Sequence, residues 1–166
     1  MDQPRHQIDW RDTAAGGRVP VSQRFDDPFF SLDDGLAETR HVFLAGNDLP
    51  MRFQPGFHIA ELGFGTGLNL IAAALSWSEA GLRGPLHFTS FEAFPLSPRD
   101  ARLALAAFPE AAPFADAIAA ALEGSGQIET PELSVRIVFG DARQTVPAWG
   151  GCADAWFLDG FAPARN

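Results

Sequence analysis

The sequence contains one cysteine, no lysine, no tyrosine and no long apolar run. Because a single cysteine, Cys152, cannot form an internal disulfide bond, this composition predicts a reducing environment. The apolar runs are shorter than the roughly 20 residues that a membrane-spanning helix needs. The first residues also lack the basic start and apolar block of a signal peptide. We therefore expect a cytoplasmic protein without a membrane partner.

The charge balance limits the classes of partner. All 12 basic residues are arginines and 21 residues are acidic, so the net charge is −9. Phosphate contacts need clustered basic side chains, which disfavours a broad nucleic-acid-binding surface but permits a small local patch. Half of the arginines fall in the N-terminal third of the chain: Arg5, Arg11, Arg18, Arg24, Arg40 and Arg52. Four scattered histidines and one cysteine give no metal-ligand spacing, so no metal is expected.

The pattern along the chain predicts three regions. Residues 1–17 are expected to be a loose N-terminal arm. Residues 18–56 are expected to be a β-hairpin extension, in which the β-prone runs 39–44 and 49–53 flank a Gly-Asn turn. Residues 57–166 form the predicted core, where strands at 57–62, 86–91, 133–139 and 153–158 alternate with helices. This alternation predicts an α/β fold with a parallel central sheet.

The turn after the first core strand reads Glu61-Leu-Gly63-Phe-Gly65-Thr-Gly67-Leu-Asn69. Glycines let a backbone turn sharply and approach a ligand closely. The spacing differs from the G-x-G-x-x-G of dinucleotide-binding proteins, and the acidic flank would repel a pyrophosphate. A cationic or zwitterionic ligand fits better, such as the methionine part of S-adenosylmethionine. The alternative is a purely structural turn between strand and helix.

Acidic residues also end the later core strands. Glu92 could accept hydrogen bonds from two ribose hydroxyls, and Asp141 from an adenine amino group. Asp159 could position an amine and accept its proton, with Phe161 stacking on a flat substrate base. Each acidic residue has a plainer alternative: a solvated charge for Glu92, a turn-forming residue for Asp141 and a helix N-cap for Asp159.

The order of these features matches class I methyltransferases, and residues 22–166 resemble the methyltransferase domain of the MnmC family almost colinearly. The most specific segment is Asp154-Ala-Trp-Phe-Leu-Asp-Gly-Phe-Ala-Pro-Ala-Arg-Asn166. The resemblance implies a Rossmann-like fold. It also implies S-adenosylmethionine-dependent methylation of the aminomethyl group of wobble 5-aminomethyl-2-thiouridine in tRNA.

The resemblance further implies the site and the partners. Asp159 and Phe161 are expected to face the substrate. An FAD-dependent oxidoreductase is an expected partner, fused or separate, and FAD is expected only if that domain exists outside this chain. The family sheet has seven strands and four can be placed, so the C-terminal strands are expected to be missing. The residues expected around the cofactor are Phe30, Glu61, Gly63, Gly65, Gly67, Asn69, Glu92 and Asp141.

Two other interpretations stay open at this stage. The chain could be a class I methyltransferase for another amine, which only the segment at Asp159 argues against. It could also be a non-catalytic, truncated module that keeps the fold without turnover.

Overall fold

The computed structural model describes residues 5–14, 16–31 and 34–160. The N-terminal part forms a small antiparallel sheet of β1 (Ile8–Asp12), β2 (Arg18–Ser22) and β3 (Asp27–Pro28). In this sheet Ile8 pairs with Ser22 and Asp12 pairs with Arg18. The prediction of a loose arm is therefore wrong for residues 8–12, whose alternating apolar and polar side chains suit a strand.

The N-terminal antiparallel hairpin exists, but its predicted position between residues 39 and 53 is wrong. That region contains α1 (Gly35–Thr39), a π-helical turn (Arg40–Leu44) and a 3₁₀ turn (Ala45–Asn47). The Asp34 side chain accepts a hydrogen bond from the Ala37 N–H and caps α1. Leu36 and Leu44, eight residues apart, are buried in the core. Burial of this helical face outweighs the β-propensity of the run.

The central sheet has the strand order β6-β7-β5-β4-β8. Four of these strands are parallel and agree with the predicted α/β class, which is confirmed. The fifth, β6, runs antiparallel to β7 and makes the sheet mixed. It was missed because its three residues include a single apolar one. The strand bounds are β4 (His58–Leu62), β5 (Leu86–Glu92), β6 (Gln127–Glu129), β7 (Leu133–Phe139) and β8 (Ala155–Leu158).

Four further helices complete the fold. The helix after the glycine turn, α2, is the most buried, and its Trp77 donates a hydrogen bond to the Gly84 carbonyl. The start of α3 is capped by Ser97, whose hydroxyl accepts a hydrogen bond from the Asp100 N–H. A 3₁₀ turn at Pro109–Ala111 separates α3 from α4. The helix bounds are α2 (Leu68–Glu79), α3 (Pro98–Leu105), α4 (Ala112–Glu123) and α5 (Ala142–Ala148).

The parallel strands bring four chain segments to one edge of the sheet. The segments that follow β4, β5, β7 and β8 begin at Gly63, Ala93, Gly140 and Asp159. Ligands of open α/β sheets bind at this carboxyl edge. Within the described ranges, no helix is both long enough and apolar enough to cross a membrane.

Candidate active site

A cleft of about 360 Å³ lies beside the glycine turn at this edge. One wall comes from the segment after β3, a second from α1 and the π-helical turn, and a third from the glycine turn and the start of α2. Asp159 also lines the cleft. The lining residues are Pro28, Phe29, Phe30, Ser31, Gly35, Glu38, Thr39, Val42, Phe43, Phe64, Gly65, Thr66, Leu68, Asn69 and Asp159.

The glycine turn is fixed by backbone bonds and by a close approach. Gly63 donates to the Phe91 carbonyl at 2.9 Å, and Gly67 donates to the Phe64 carbonyl at 2.9 Å. Gly63 has a positive φ of 86°, and a β-carbon there would overlap the carbonyl oxygen of Asp159. Glycine is therefore required at this position by the fold itself. The structure places the turn against Asp159. That Gly63, Gly65 and Gly67 contact the cofactor stays a prediction.

Three predicted residues form one hydrogen-bonded group. The Asn69 side chain, at the start of α2, donates from Nδ2 to Glu61 Oε1 at 2.8 Å and to Asp159 Oδ2 at 2.6 Å. Glu61 is fully buried in β4. Its second oxygen, Oε2, and the buried hydroxyl of Ser90 have no hydrogen bond of ordinary geometry to any described residue. Leaving a buried carboxyl oxygen unpaired is costly, and the Ser90 hydroxyl, which acts on Glu61, is the candidate donor for it.

Burial governs the protonation of this group. Desolvation raises the pKa of Glu61 well above its ordinary value, although the nearby Ser90 hydroxyl and the Asn69 amide lower it. Desolvation also raises the pKa of Asp159 to about 6; the Asn69 hydrogen bond opposes this shift and the charge of Glu38 adds to it. A carboxyl group with a raised pKa that lines a cleft, as Asp159 does, is typical of a functional site, and Glu61 lies buried behind it on the other side of the Asn69 amide.

Glu92 and Asp141 end the neighbouring strands. Glu92 accepts hydrogen bonds from the Gly65 N–H at 3.0 Å and from the Phe94 N–H at 2.8 Å, so its carboxylate faces the glycine turn. Asp141 caps α5, accepting from the Arg143 N–H, and it pairs with the Arg143 guanidinium. The hydrogen bonds from Arg143 hold the pKa of Asp141 at about 2. Asp141 therefore has a structural role whether or not it touches adenine.

The remaining site predictions have different outcomes. Phe30 lines the cleft and packs edge-on against Phe108 at 5.1 Å. Phe161 lies outside the described residues. Glu38, which lines the cleft and acts on Asp159, is not among the predicted site residues, because residues 38–40 indicate only a solvated edge in the sequence. In the portion described, no group of three or more His, Cys, Asp or Glu side chains is arranged to hold a metal.

Comparisons with known proteins identify related chains. Residues 107–166 match the model of a family described as S-adenosyl-L-methionine-dependent methyltransferase. The chain is 43% identical over 98% of its length to a tRNA 5-methylaminomethyl-2-thiouridine biosynthesis bifunctional protein MnmC from Pseudomonas fluorescens. It is 40% identical over 96% of its length to the MnmC of Aeromonas salmonicida. It spans 26% of each of these relatives, about a quarter of their length.

A solved structure shows the same fold. The crystal structure of MnmC2 from Aquifex aeolicus superposes with a TM-score of 0.66 and 24% sequence identity. The match covers 97% of this chain and 52% of that one. The chain thus corresponds over nearly its whole length to a segment of the MnmC proteins, and it carries the match to an S-adenosyl-L-methionine-dependent methyltransferase family that the sequence resemblance predicts.

Proposed function

We propose that this chain binds S-adenosylmethionine and is the methyl-transferring part of an enzyme acting on the aminomethyl group of wobble 5-aminomethyl-2-thiouridine in tRNA. The observation that carries the proposal is the pair of carboxyl groups, Glu61 and Asp159, that Asn69 holds beside the glycine turn. The names of the relatives, which specify tRNA 5-methylaminomethyl-2-thiouridine biosynthesis, support it. A flavin-dependent oxidoreductase, fused or separate, would prepare the amine.

The residues around the cleft fit a positively charged cofactor. Glu38 and Asp159 line the cleft, and carboxylates there favour a cation such as a sulfonium or ammonium group. Glu61 would act on the cofactor through Asn69, whose amide it holds by a hydrogen bond. A carboxylate has about four acceptor positions, so Glu92 can keep its bonds to the glycine turn and still accept from ribose hydroxyls. Asp141 would accept from the adenine amino group.

The chain's own residues would then prepare the amine. S-adenosylmethionine, when bound, supplies an electrophilic methyl group. Asp159 would orient the amine and accept its proton, because a pKa of about 6 makes it a stronger base than an ordinary aspartate and leaves it ionised above pH 7. Phe30 would cover the cofactor, and Phe161 would stack on the uracil ring. Most of the acceleration would come from holding amine and methyl donor in contact.

The test measures transfer of a radioactive methyl group to tRNA from a strain that lacks this modification. The chain and a longer form extended past Asn166 are compared, each with its Asp159→Asn variant. Calorimetry with S-adenosylmethionine is run on the same samples. We expect cofactor binding in all of them, and methylation in the longer form that falls at least about 100-fold in the variant, the lower range for loss of a general base.

Other outcomes would select the alternatives. Methylation of small amines without methylation of tRNA would indicate a different substrate. Failure to bind S-adenosylmethionine in both forms would contradict the proposal and favour a non-catalytic module.

A further inference from the structure

A second cleft, of about 380 Å³, lies between the N-terminal sheet and the loop after β5. Its volume falls in the range of small-ligand sites, about 300–1,000 Å³. The proposed methyl transfer uses none of the residues that line it. These are Arg5, His6, Gln7, Gln23, Arg24 and Phe94.

The N-terminal arginines differ in whether they form an ion pair. Arg11 and Arg18 are paired with aspartates of the N-terminal sheet. Arg5 and Arg24 form no ion pair with any described residue, and both line the second cleft. In a chain with a net charge of −9, two unpaired guanidinium groups in one cleft mark a local site for an anion.

Aromatic rings give this cleft a second property. The Arg24 guanidinium lies 4.3 Å from the centroid of the Phe94 ring and 5.6 Å from that of Phe25. Arg5 is held by a hydrogen bond from its Nη1 to the Leu96 carbonyl at 3.2 Å. Guanidinium groups and aromatic rings, on which bases stack, are the combination that binds single-stranded RNA.

His6 fixes the floor of the cleft without adding charge. Its Nδ1 donates to the Phe94 carbonyl at 3.2 Å, and its Nε2 accepts from the Ser22 hydroxyl at 2.5 Å. Desolvation lowers the pKa of His6, so the ring is neutral at pH 7. The positive charge of the cleft therefore comes from the two arginines.

The two clefts share a wall. Phe29 lines the first cleft beside Gly65, and its ring packs edge-on against His6 with centroids 5.0 Å apart. The Phe94 N–H donates to Glu92, the residue that faces the glycine turn. A polynucleotide whose target nucleotide lies beside the cofactor, at the mouth of the first cleft, would have its neighbouring backbone near the second.

We infer that the second cleft binds a backbone phosphate and a stacked base of the RNA substrate, next to the nucleotide that is methylated. This inference rests on the proposed function. It assigns Arg5 and Arg24 to the phosphate. It also assigns the Arg24 guanidinium, together with Phe94, to stacking against the base.

The experiment measures binding of a 5′-labelled anticodon stem-loop RNA with an unmodified wobble uridine, over a range of salt concentrations. The full chain is compared with Arg24→Ala, Arg24→Lys and the control Arg83→Ala. Arg83 is exposed just before β5, at the opposite edge of the sheet. Calorimetry with S-adenosylmethionine is run on each protein.

We expect Arg24→Ala to weaken RNA binding about tenfold and to reduce the slope of log affinity against log salt by about 0.7, the value for one phosphate contact on a single strand. Arg24→Lys should keep the slope but bind more weakly, because it keeps the charge and loses the planar group. Arg83→Ala and cofactor affinity should not change.

The inference is overturned if the wild-type chain does not bind the RNA, if Arg24→Ala binds like wild type, or if Arg83→Ala weakens binding equally. Loss of cofactor binding in Arg24→Ala would also overturn it, since the effect would then be on the fold. If the wild-type chain binds RNA through Arg24 but binds no cofactor, the proposed methyl transfer fails while the RNA site stands.

Discussion

Glu61, in β4, and Asp159, which directly follows the adjacent parallel strand β8, both accept a hydrogen bond from the Nδ2 of Asn69. A side-chain amide carries two N–H groups, so both bonds can form at once. Asn69 thereby fixes the position of the Asp159 carboxylate, the group proposed to accept a proton, relative to the buried Glu61 side chain in β4. The helix that follows the glycine turn therefore also positions the carboxyl group that is proposed to face the substrate.

The Asn69→Leu variant tests this positioning role. Leucine keeps a similar volume but cannot donate, so the pKa of Asp159, which the Asn69 hydrogen bond now lowers, should rise further above 6. The rate of methyl transfer at pH 7 should fall, and the acid limb of the kcat profile should move to higher pH. A pH–rate series on the longer enzyme measures both. The control is Ser76→Ala, at another buried polar residue of α2; an unchanged profile in Asn69→Leu would contradict the role.

Asp159 also predicts a dependence of stability on pH. Its pKa rises from an ordinary 3.8 to about 6 in the folded chain, so the native state holds this proton more tightly than the unfolded state. Its contribution to stability should therefore fall as pH rises from about 4 to 6 and stay low above that. The shift corresponds to about 3 kcal/mol at roughly 1.4 kcal/mol per pKa unit.

The Asp159→Asn variant isolates the contribution of this carboxyl group to the pH dependence of stability. We expect it to be more stable than wild type by up to about 3 kcal/mol at pH 7.5 and equally stable below pH 4. Urea unfolding at both pH values measures the difference. A constant difference between the two proteins at every pH would show that the carboxyl group is not desolvated in the native state.

The parallel core could be predicted from the sequence because each strand is a short apolar run that ends at a polar or glycine residue. The predicted segment 133–139 is the observed β7, and 86–91 is β5 without its last residue, Glu92. The helical region at 35–47 could not be predicted by the same logic. Val42 and Phe43 favour strands in isolation, and only packing of Leu36 and Leu44 into the core decides for a helix.

The candidate site likewise combines features that are local in the sequence with features that depend on contacts between distant residues. The glycine turn and the acidic strand ends are local patterns, so they can be predicted from the sequence. The bond between Asn69 and Asp159 joins residues 90 positions apart, and Glu38 reaches the cleft only because α1 packs beside α2. The strand at 8–12 does have a local signal in the sequence, since Ile8 and Trp10 alternate with Asp9 and Arg11.

Gly63→Ala tests the close approach between the glycine turn and Asp159. The new methyl group would overlap the Asp159 carbonyl oxygen, and the residue would keep a positive φ. Positive φ alone costs roughly 1–2 kcal/mol for alanine. Gly56→Ala is the matched control, because Gly56 has a φ of 80° and open space around its α-carbon. Thermal unfolding should show a larger loss for Gly63→Ala; equal losses would mean that the overlap is relieved without cost.

Asp141 has two candidate roles that a pair of variants separates. Asp141→Ala removes both the N-cap of α5 and the carboxylate, and loss of an N-cap costs about 1 kcal/mol. Asp141→Ser restores an N-cap hydroxyl without the carboxylate, so it should recover most of the stability. If Asp141 accepts a hydrogen bond from adenine, both variants should bind S-adenosylmethionine several-fold more weakly. S-adenosylmethionine should then also raise their thermal unfolding temperature by less than it raises that of the wild type. If calorimetry gives wild-type affinity for Asp141→Ser, the residue is a helix cap and has no role in recognising the cofactor.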